Sequence, residues 1–437
     1  MKPNDTRYRS IFCSFIFPRH PGHSGGEIRD FHLLRHLLKL SDVEVFTLHH
    51  GVPHAQEDPL AAQVRALHTP ETIRATRPDL LQGEAFRKTA TDRVLRQLRR
   101  MHLPVLGPRY HLDIDPHMLN AAGFAIKSLQ ATMDASSPDF LFVSPQLNPV
   151  ALLLRHRHLP TRLVLASYDV EAVRIRRLAS AATGIARIAE ELEARRAIRF
   201  ERDNLAHYDG IIAVSDLDKE HFADRYSFPR ERILVIENGV DPDYFAFTER
   251  AADQAPHVLY VGSLAYRPNE QAAWRLIRRI MPLVRRSRPG VRLSIVGQQP
   301  EPSLSAQSDG RTTLVAGRVA DVRPFLADAS LACVPLEAGS GTKYKVLEAL
   351  SAGVPVVCSP VAVEGLDLRP GEHLLVGESD KEIAAAILRL LDDPALAASL
   401  ARAGRSQVEK RYAWEANLPR LDDWLPALAR LPRRDER

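Results

Sequence analysis

The sequence predicts an α/β protein made of two domains, each built around a parallel sheet. Short apolar runs typical of buried strands alternate with helical segments along much of the chain. The chain has 437 residues, which is more than one ordinary hydrophobic core supports. A polar, alanine-rich link from Thr248 to Pro256 separates two such α/β halves, and we therefore expect an N-terminal and a C-terminal domain.

The first half starts with a strand, a glycine turn and a helix. The strands predicted in this half are Arg9–Phe17, Val43–Leu48, Phe140–Val143, Leu163–Ala166, Gly210–Val214 and Ile233–Ile236. Gly25 and Gly26 form the turn, which can contact a phosphate group, although a turn needed only for packing is an equal alternative. The pattern argues against NAD, because the glycines lack the Gly-x-Gly-x-x-Gly spacing and His49-His50 stands where a ribose-binding acid is required.

The second half repeats this architecture. Its predicted strands are Val258–Gly262, Val291–Gly297, Thr312–Ala316, Leu331–Leu336 and Leu374–Val376, and its last helices are Lys381–Leu391, Ala395–Arg411 and Trp414 to about Leu431. Pro268 is suited to the first turn of the helix that follows the first of these strands.

The stretch from Val334 to Pro360 predicts a buried strand, a glycine turn, a short helix and a second buried strand. Gly339 and Gly341 allow a sharp bend and the close approach of a ligand. Ala-Gly-Val-Pro at 352–355 ends the helix and leads into the second strand, so the turn is expected at the carboxyl edge of a parallel sheet. Open α/β sheets bind their ligands at that edge.

Three charged side chains on this helix and its approach indicate a nucleotide. Lys343 and Lys345 lie around the first turn, where cations are unfavourable unless an external anion is bound. Glu348 follows about one turn later and can accept hydrogen bonds from two sugar hydroxyls. Diphosphate beside ribose is the chemistry of a nucleotide. The alternative is a solvated helix without a ligand.

Composition narrows the choice of partner and compartment. The chain carries 59 Lys and Arg against 54 Asp and Glu, without the aromatic platforms or zinc spacing typical of nucleic-acid binding. Apolar runs are shorter than the roughly 20 residues needed to span a bilayer, and we expect no signal peptide. Cys13, Cys333 and Cys358 lie in apolar runs and indicate reduced thiols in a cytoplasmic protein.

Residues 83–101 predict a helix with one apolar and one strongly basic face. Such a helix can lie on an anionic membrane surface. We favour the alternative, a helix packed on its own domain with a solvated basic face.

No metal site is expected. The two Asp-x-Asp triplets, at 113–115 and 241–243, are interpreted as helix capping and as part of the link between domains. At the carboxyl end of another strand, Asp169 and Glu171 could orient a hydroxyl group of a ligand, although capping of the following helix is slightly favoured.

The second half resembles the donor site of retaining GT-B glycosyltransferases of family four, also called group 1. The resemblance is carried by Gly-Ser-Gly-Thr-Lys-Tyr-Lys-Val-Leu-Glu-Ala at 339–349, Ala-Gly-Val-Pro-Val-Val at 352–357 and Glu-Gly-Leu at 364–366. Asn-Gly-Val-Asp at 238–241 is similar to the segment that closes the family's N-terminal domain. The second glutamate of the family's Glu-x7-Glu motif holds the donor ribose, and Glu348 matches it, whereas Ser340 replaces the first glutamate.

The resemblance implies a set of site residues. The implied donor-binding residues are Gly262, Ser263, Ser340, Gly341, Thr342, Lys343 and Glu348. The implied catalytic residues, which contact the donor or its leaving diphosphate, are Glu348, Lys343, Lys345 and Arg267. The implied acceptor and cleft residues are Gly25, Gly26, Tyr168, Asp169 and Glu171. Tyr168 replaces the histidine of a related His-Asn-Val-Glu motif, and Ser263 replaces a basic residue whose charge Lys343 and Lys345 would supply.

The implied fold is GT-B, with two Rossmann-like domains whose parallel sheets face each other across a cleft. An acceptor-side domain is expected at 1–240, a linker at 241–256, a nucleotide-sugar domain at 257–412 and a helix crossing back at 413–437. The implied enzyme (EC 2.4) transfers a hexose with retention from a nucleotide sugar to a glycan, a lipid-linked or a small-molecule acceptor. No metal or other cofactor is required.

The pathway implied is cell-surface polysaccharide or glycoconjugate synthesis, in the cytoplasm or peripherally on the inner face of the membrane. Two alternatives keep the same fold. One is a catalytically silent protein that binds nucleotide sugars, and the other is a nucleotide-sugar epimerase.

Overall fold

The computed structural model describes residues 7–20, 24–47, 58–76, 127–147, 160–170, 172–173, 184–248, 255–338 and 344–434. Contacts divide the chain into two units. The first unit comprises the residues up to Ile236 together with those from Leu418 onwards, and the second comprises Glu237–Asn417. The predicted features at 83–101 and 113–115 lie outside the described residues.

The first unit is built on a seven-stranded parallel sheet. Its strands are β1 Tyr8–Ser14, β2 Ser41–Thr47, β3 Ala66–His68, β4 Phe140–Val143, β5 Arg162–Ala166, β6 Gly210–Ala213 and β7 Ile233–Val235. Their order in the sheet is β3-β2-β1-β4-β5-β6-β7. The predicted strands of this half are all present, whereas β3 was missed because its residues are only partly buried and form no apolar run.

Helices cover this sheet. The described helices that precede β7 in the chain are α1 Gly25–Leu40, α2 Pro70–Thr76, α3 at 127–136, α4 Gly184–Leu205 and α5 Asp216–Tyr226. Helix α1 begins after Ser24, whose hydroxyl accepts a hydrogen bond from the Glu27 amide at 3.2 Å. Leu33, Leu34 and Leu37 of α1 are fully buried and anchor the helix in the core.

The second unit is built on a six-stranded parallel sheet. Its strands are β8 His257–Val261, β9 Arg292–Val296, β10 Thr313–Gly317, β11 Leu331–Val334, β12 Val356–Cys358 and β13 Leu375–Val376. Their order is β10-β9-β8-β11-β12-β13. In both sheets the order reverses at one point, between β1 and β4 in the first and between β8 and β11 in the second.

The remaining helices include the predicted ones and two short helices, Pro302–Ser305 and Pro360–Val363, that were not predicted. They are α6 Arg267–Arg275, α7 Met281–Ser287, α8 Pro302–Ser305, α9 Arg323–Asp328, α10 Tyr344–Ser351, α11 Pro360–Val363, α12 Asp380–Asp392, α13 Pro394–Arg411, α14 Trp414–Asn417 and α15 Arg420–Arg430. A π-helical segment, Leu276–Ile280, joins α6 to α7. The prediction of one helix from Trp414 to about Leu431 is wrong, because the helix is interrupted between α14 and α15.

Helix α15 is part of the first unit. The side chains of Trp424 and Leu428 lie against Gly210 of β6, where an added Cβ would approach them within 2.8 Å and 2.7 Å. The guanidinium of Arg162 in β5 donates hydrogen bonds to the carbonyl oxygens of Ala429 and Leu431. The last helix therefore completes the packing of strands that lie far earlier in the chain.

The Asn-Gly-Val-Asp segment at 238–241 pairs with the stretch after α13. The Val240 amide donates to the Tyr412 carbonyl at 2.8 Å, and a Cβ on Gly239 would lie 2.7 Å from the same oxygen. The Asp241 carboxylate accepts hydrogen bonds from the amides of Asp243 and Tyr244, each at 3.0 Å. The triplet at 241–243 thus forms a local turn.

Over the ranges given above, no helix combines the length and the hydropathy that crossing a bilayer requires.

Gly297, which follows β9, provides a test of how closely the strand ends of the second sheet approach each other. An added Cβ would lie 1.9 Å from the carbonyl oxygen of Gly262, so the backbone has to move. We expect Gly297→Ala to lower the free energy of unfolding by about 2–3 kcal/mol in urea denaturation. Gly290→Ala is the matched control, because nothing lies within 4 Å of its added Cβ. Equal stability of the two variants would contradict this account.

Candidate functional site

The candidate site of the second unit lies where its strand order reverses. Gly262 follows β8 directly, and the chain leaves β11 at Pro335 on the way to α10. Both segments are at the carboxyl ends of neighbouring parallel strands. A space for a ligand is expected there, because the chains leaving these two strands turn to opposite sides of the sheet.

Helix α10 places two charged side chains at this edge. Val346, Leu347 and Leu350 are fully buried and hold the helix on the sheet, while Lys345 and Glu348 on another face are partly buried. The helix ends at Ser351, and Gly353 then adopts a φ of +78°, a conformation that favours glycine. The predicted end of this helix is confirmed.

Asn269 on α6 connects Lys345 to the strand end. The Lys345 ammonium donates a hydrogen bond to Asn269 Oδ1 at 3.0 Å, and the Tyr260 hydroxyl donates to the same oxygen at 3.1 Å. The Asn269 amide nitrogen donates to the carbonyl oxygen of Ser263 at 2.9 Å. The ammonium group is also 6.0 Å from the centroid of the Tyr260 ring. These contacts fix the position of one positive charge.

Gly262 makes room for that charge. An added Cβ would lie 3.0 Å from Cε of Lys345 and 3.1 Å from Cγ of Asn269. The Lys345 side chain can therefore pass over Gly262 only because this residue has no side chain. The hydroxyl of Ser263 accepts a hydrogen bond from Gln298 at 3.4 Å, so Ser263 adds a polar group but no charge.

Glu348 is the acidic group of the site. Within the described residues its carboxylate has no hydrogen-bond partner, and burial raises its pKa to about 7 although the Lys345 charge lowers it. The side chain therefore changes charge near neutral pH. When ionised, it offers acceptor oxygens to hydroxyl groups of a ligand.

Other predicted donor residues are not part of this cluster. Arg267 is exposed at the start of α6 and makes no hydrogen bond or ion pair in the part of the chain described here. The predicted residues Ser340, Gly341, Thr342 and Lys343 lie outside the described residues. The structure thus brings together Gly262, Ser263, Lys345 and Glu348 at one sheet edge.

In the first unit, two of the predicted acceptor residues are in contact. A Cβ on Gly26 would lie 2.6 Å from a ring carbon of Tyr168, so the ring fills the space beside the glycine. Gly25 is the first residue of α1. The carbonyl of Asp169 accepts a hydrogen bond from the Ser167 hydroxyl at 2.7 Å, and Glu171 lies outside the described residues.

Sequence reasoning missed three residues that organise these sites. Asn269 and Tyr260 are almost fully buried, and their roles depend on contacts with α10. Asp30 is fully buried beside Tyr168. One of them could have been noticed in the sequence. Asp30 is a charged residue on the apolar face of the predicted helix, between the glycine turn and Leu34.

No group of three or more His, Cys, Asp or Glu side chains in the described ranges is arranged to hold a metal ion.

Comparison with known proteins identifies related sequences. Residues 23–244 match the family model described as Glycosyltransferase Family 4, and residues 255–393 match the model described as Glycosyl transferases group 1. The glycogen synthase of Mycobacterium tuberculosis is 28% identical over 228 residues, covering 47% of this chain and 51% of that protein. The phosphatidyl-myo-inositol mannosyltransferase of Mycobacterium leprae is 28% identical over 214 residues, covering 47% of this chain and 55% of that protein.

The match to these curated relatives spans about half of their length. A solved structure extends the likeness to nearly the whole chain. The Anabaena protein HepE, solved in complex with UDP and glucose, has a TM-score of 0.63 at 13% identity, over 96% of this chain and 100% of that chain. At this identity the likeness concerns the fold.

The raised pKa of Glu348 predicts a pH dependence of stability. In the folded protein, Glu348 retains its proton up to about pH 7. In the unfolded chain, where its pKa is the ordinary 4.5, it loses the proton at lower pH. The contribution of Glu348 to stability is therefore full below about pH 4.5 and is lost as the pH rises through 7. We expect a loss on the order of 1–3 kcal/mol.

Urea denaturation of the wild type and of Glu348→Gln at pH 5 and pH 8 measures this contribution. The wild type should lose more stability than the variant between pH 5 and pH 8, because only the wild type carries a carboxyl group at position 348. All other titrating groups are common to both proteins. An identical loss in both proteins would show that Glu348 has an ordinary pKa.

Proposed function

Because this chain belongs to glycosyltransferase family 4 and has the GT-B fold, we propose that it is a retaining glycosyltransferase. It transfers a hexose from a nucleotide sugar to a hydroxyl of a glycan, a lipid-linked or a small-molecule acceptor. The pathway we propose is the synthesis of cell-surface polysaccharide or glycoconjugate.

The observation that carries this proposal is that one fixed cation lies near an acid that has no hydrogen bond to other described residues, both at the edge of the second sheet. Lys345, held by Asn269 over Gly262, is suited to the donor diphosphate. Glu348, one turn further along α10, is suited to the ribose hydroxyls. A cation beside a carboxylate that can accept hydrogen bonds from hydroxyl groups matches a nucleoside diphosphate.

The neighbouring loop would complete the donor site. By their match to the family motif, Ser340, Gly341, Thr342 and Lys343 are assigned to the diphosphate and to the transferred sugar. Arg267 is assigned to the diphosphate as a second cation, since its long side chain is exposed at the start of α6. HepE, solved with UDP and glucose, supports a nucleotide sugar as the donor class.

In the proposed reaction, negative charge develops on the diphosphate as the bond to the sugar breaks. Lys345, Lys343 and Arg267 stabilise that charge, and the amides at 340–342 can donate to the same oxygens. Retention follows from attack by the acceptor hydroxyl on the face from which the diphosphate leaves. Glu348 holds the ribose and takes no part in bond breaking, and no metal is required in this scheme.

The acceptor is assigned to the first unit, at Gly25, Gly26, Tyr168, Asp169 and Glu171. The names of the two mycobacterial relatives refer to a glycan and to a phosphatidyl-inositol, which supports acceptors of both kinds. A lipid-linked acceptor would bring the protein to the inner face of an anionic membrane. The three buried free cysteines favour the reducing environment of the cytoplasm.

Glu348→Gln tests the ribose contact. We expect the variant to bind UDP-glucose or GDP-mannose, whichever the wild type prefers, at least 10-fold more weakly by calorimetry at pH 8, because the amide is a weaker acceptor than a carboxylate. Wild-type affinity should rise between pH 6 and pH 8 as Glu348 ionises, and the variant should show a flatter profile.

Glu301→Gln is the matched control, since Glu301 is exposed and its side chain does not cap the helix α8. NMR of the products with the preferred donor gives the anomeric configuration. Release of free sugar without acceptor indicates the epimerase alternative or simple hydrolysis, and binding without turnover indicates a silent protein. Unchanged affinity in Glu348→Gln would refute the role given to this residue.

Lys345→Met tests the diphosphate contact separately from the nucleoside. We expect UDP or GDP to bind at least 10-fold more weakly to this variant, because one charge-assisted contact is lost, while the affinity for the matching nucleoside stays within twofold. Lys381→Met, an exposed lysine on α12, is the control. A parallel loss of nucleoside affinity would mean that Lys345 only maintains the fold of the site.

A further inference from the structure

A buried polar centre lies at the reversal point of the first sheet. Ser14 ends β1 and Ser144 follows β4, and the hydroxyls of both donate hydrogen bonds to Asp30 Oδ2 at 2.6 Å. The hydroxyl of Tyr168, which follows β5, donates to the same oxygen at 2.7 Å. Three consecutive strands of the sheet thus contribute one hydroxyl each to a carboxylate on α1, at the edge where α/β sheets bind ligands.

Asp30 is completely buried, and its second oxygen, Oδ1, has no hydrogen-bond partner among the described residues. Burial raises the pKa of Asp30 to about 6, while the three hydroxyl groups and the nearby Arg29 charge lower it. Among the described residues, the titratable or charged groups that act on Asp30 are Tyr168 and Arg29. The Arg29 guanidinium itself donates to the carbonyl oxygens of Ile236 and Ala213.

Protonation of this carboxyl would weaken its bond with Tyr168. Three hydroxyls already occupy Oδ2, so Oδ1 is the oxygen that can take a proton. A neutral carboxyl is a weaker acceptor than a carboxylate. The Tyr168 phenol stays protonated, because burial and the Asp30 charge raise its pKa well above the ordinary value. The tyrosine hydroxyl therefore remains the donor throughout the neutral range.

The hydroxyl bond and the Gly26 contact together fix the Tyr168 ring. One edge of the ring occupies the space that a Cβ on Gly26 would fill, at 2.6 Å from the nearest ring carbon. The residue as a whole is nevertheless partly exposed, so it lies at the surface of the sheet edge. An aromatic ring held in this way offers a flat apolar surface with a polar rim, which suits the C–H face and the hydroxyls of a sugar or another polyol.

We propose that Asp30 is a positioning residue for the acceptor, which holds the Tyr168 ring against Gly26 so that the ring can pack on a sugar or polyol. This inference rests on the proposed glycosyl transfer for the identity of the ligand. Asp30 itself does not touch the acceptor. It acts through the Tyr168 hydroxyl, and its effect is strongest when the carboxylate is ionised.

The first experiment tests the bond without requiring activity. Tyrosines carrying ¹³C at Cζ are incorporated into the full chain, and the Tyr168 signal is identified by its loss in Tyr168→Phe. We expect this signal to shift between pH 5 and pH 7.5 with a midpoint near 6 in the wild type, and to stay constant in Asp30→Asn. A Tyr168 signal that is independent of pH in the wild type would overturn the coupling.

The second experiment tests the function. With the donor that the wild type prefers and p-nitrophenyl α-glucoside or α-mannoside as acceptor probe, Tyr168→Phe and Asp30→Asn should each raise the acceptor KM 3- to 10-fold. The double variant should be no worse than Tyr168→Phe, since Asp30 acts through that hydroxyl. In the wild type the acceptor KM should rise as the pH falls below 6. At a given pH, the donor KM of each variant should stay within twofold of the wild-type value.

Ser14→Ala is the matched control, because it removes one donor from the same Asp30 oxygen and leaves Tyr168 intact. If the centre is only structural, all three single variants will lower Tm and leave the acceptor KM unchanged, which overturns the proposal. If the wild type transfers no sugar to any acceptor while the Tyr168 signal titrates as expected, the proposed function fails and the acceptor role of Asp30 fails with it, although the Asp30–Tyr168 coupling stands.

Discussion

The missing side chain at Gly262 is the constraint on which the site of the second unit depends. The carbonyl oxygen of this residue lies 1.9 Å from the position that a Cβ on Gly297 would take, so a side chain at 297 would push apart the ends of β8 and β9. Lys345 crosses over Gly262 to reach Asn269, and any Cβ at 262 would crowd both. The position of the Lys345 ammonium group therefore depends on the absence of a side chain at Gly262.

The positive charge at the end of β8 does not come from the residue that directly follows Gly262. The expected basic position after β8 is occupied by Ser263, which is uncharged and hydrogen-bonded to Gln298. A lysine from α10 brings the charge to the same strand end from the other side of the reversal point. The neighbouring Glu348 feels the lysine charge, but burial has the larger effect on its pKa. Cation and acid thus belong to one short helix.

Much of the architecture could be predicted from the sequence, because buried parallel strands are continuous apolar runs and helices between them are amphipathic. Lys345 and Glu348 could be selected from their spacing relative to the strand ends, and Gly262 from the family resemblance. Asn269 could not, since its importance arises from a side chain 76 positions away. Asp30 is a stronger case, because two of the three hydroxyls bonded to it come from positions 114 and 138 residues further along the chain.

The membership of α15 in the first unit has a consequence for biosynthesis. Trp424 and Leu428 fill space against Gly210, yet the ribosome makes the whole of the second unit before it reaches them. The packing of α15 on β5 and β6 can therefore form only after the whole of the second unit has been synthesised.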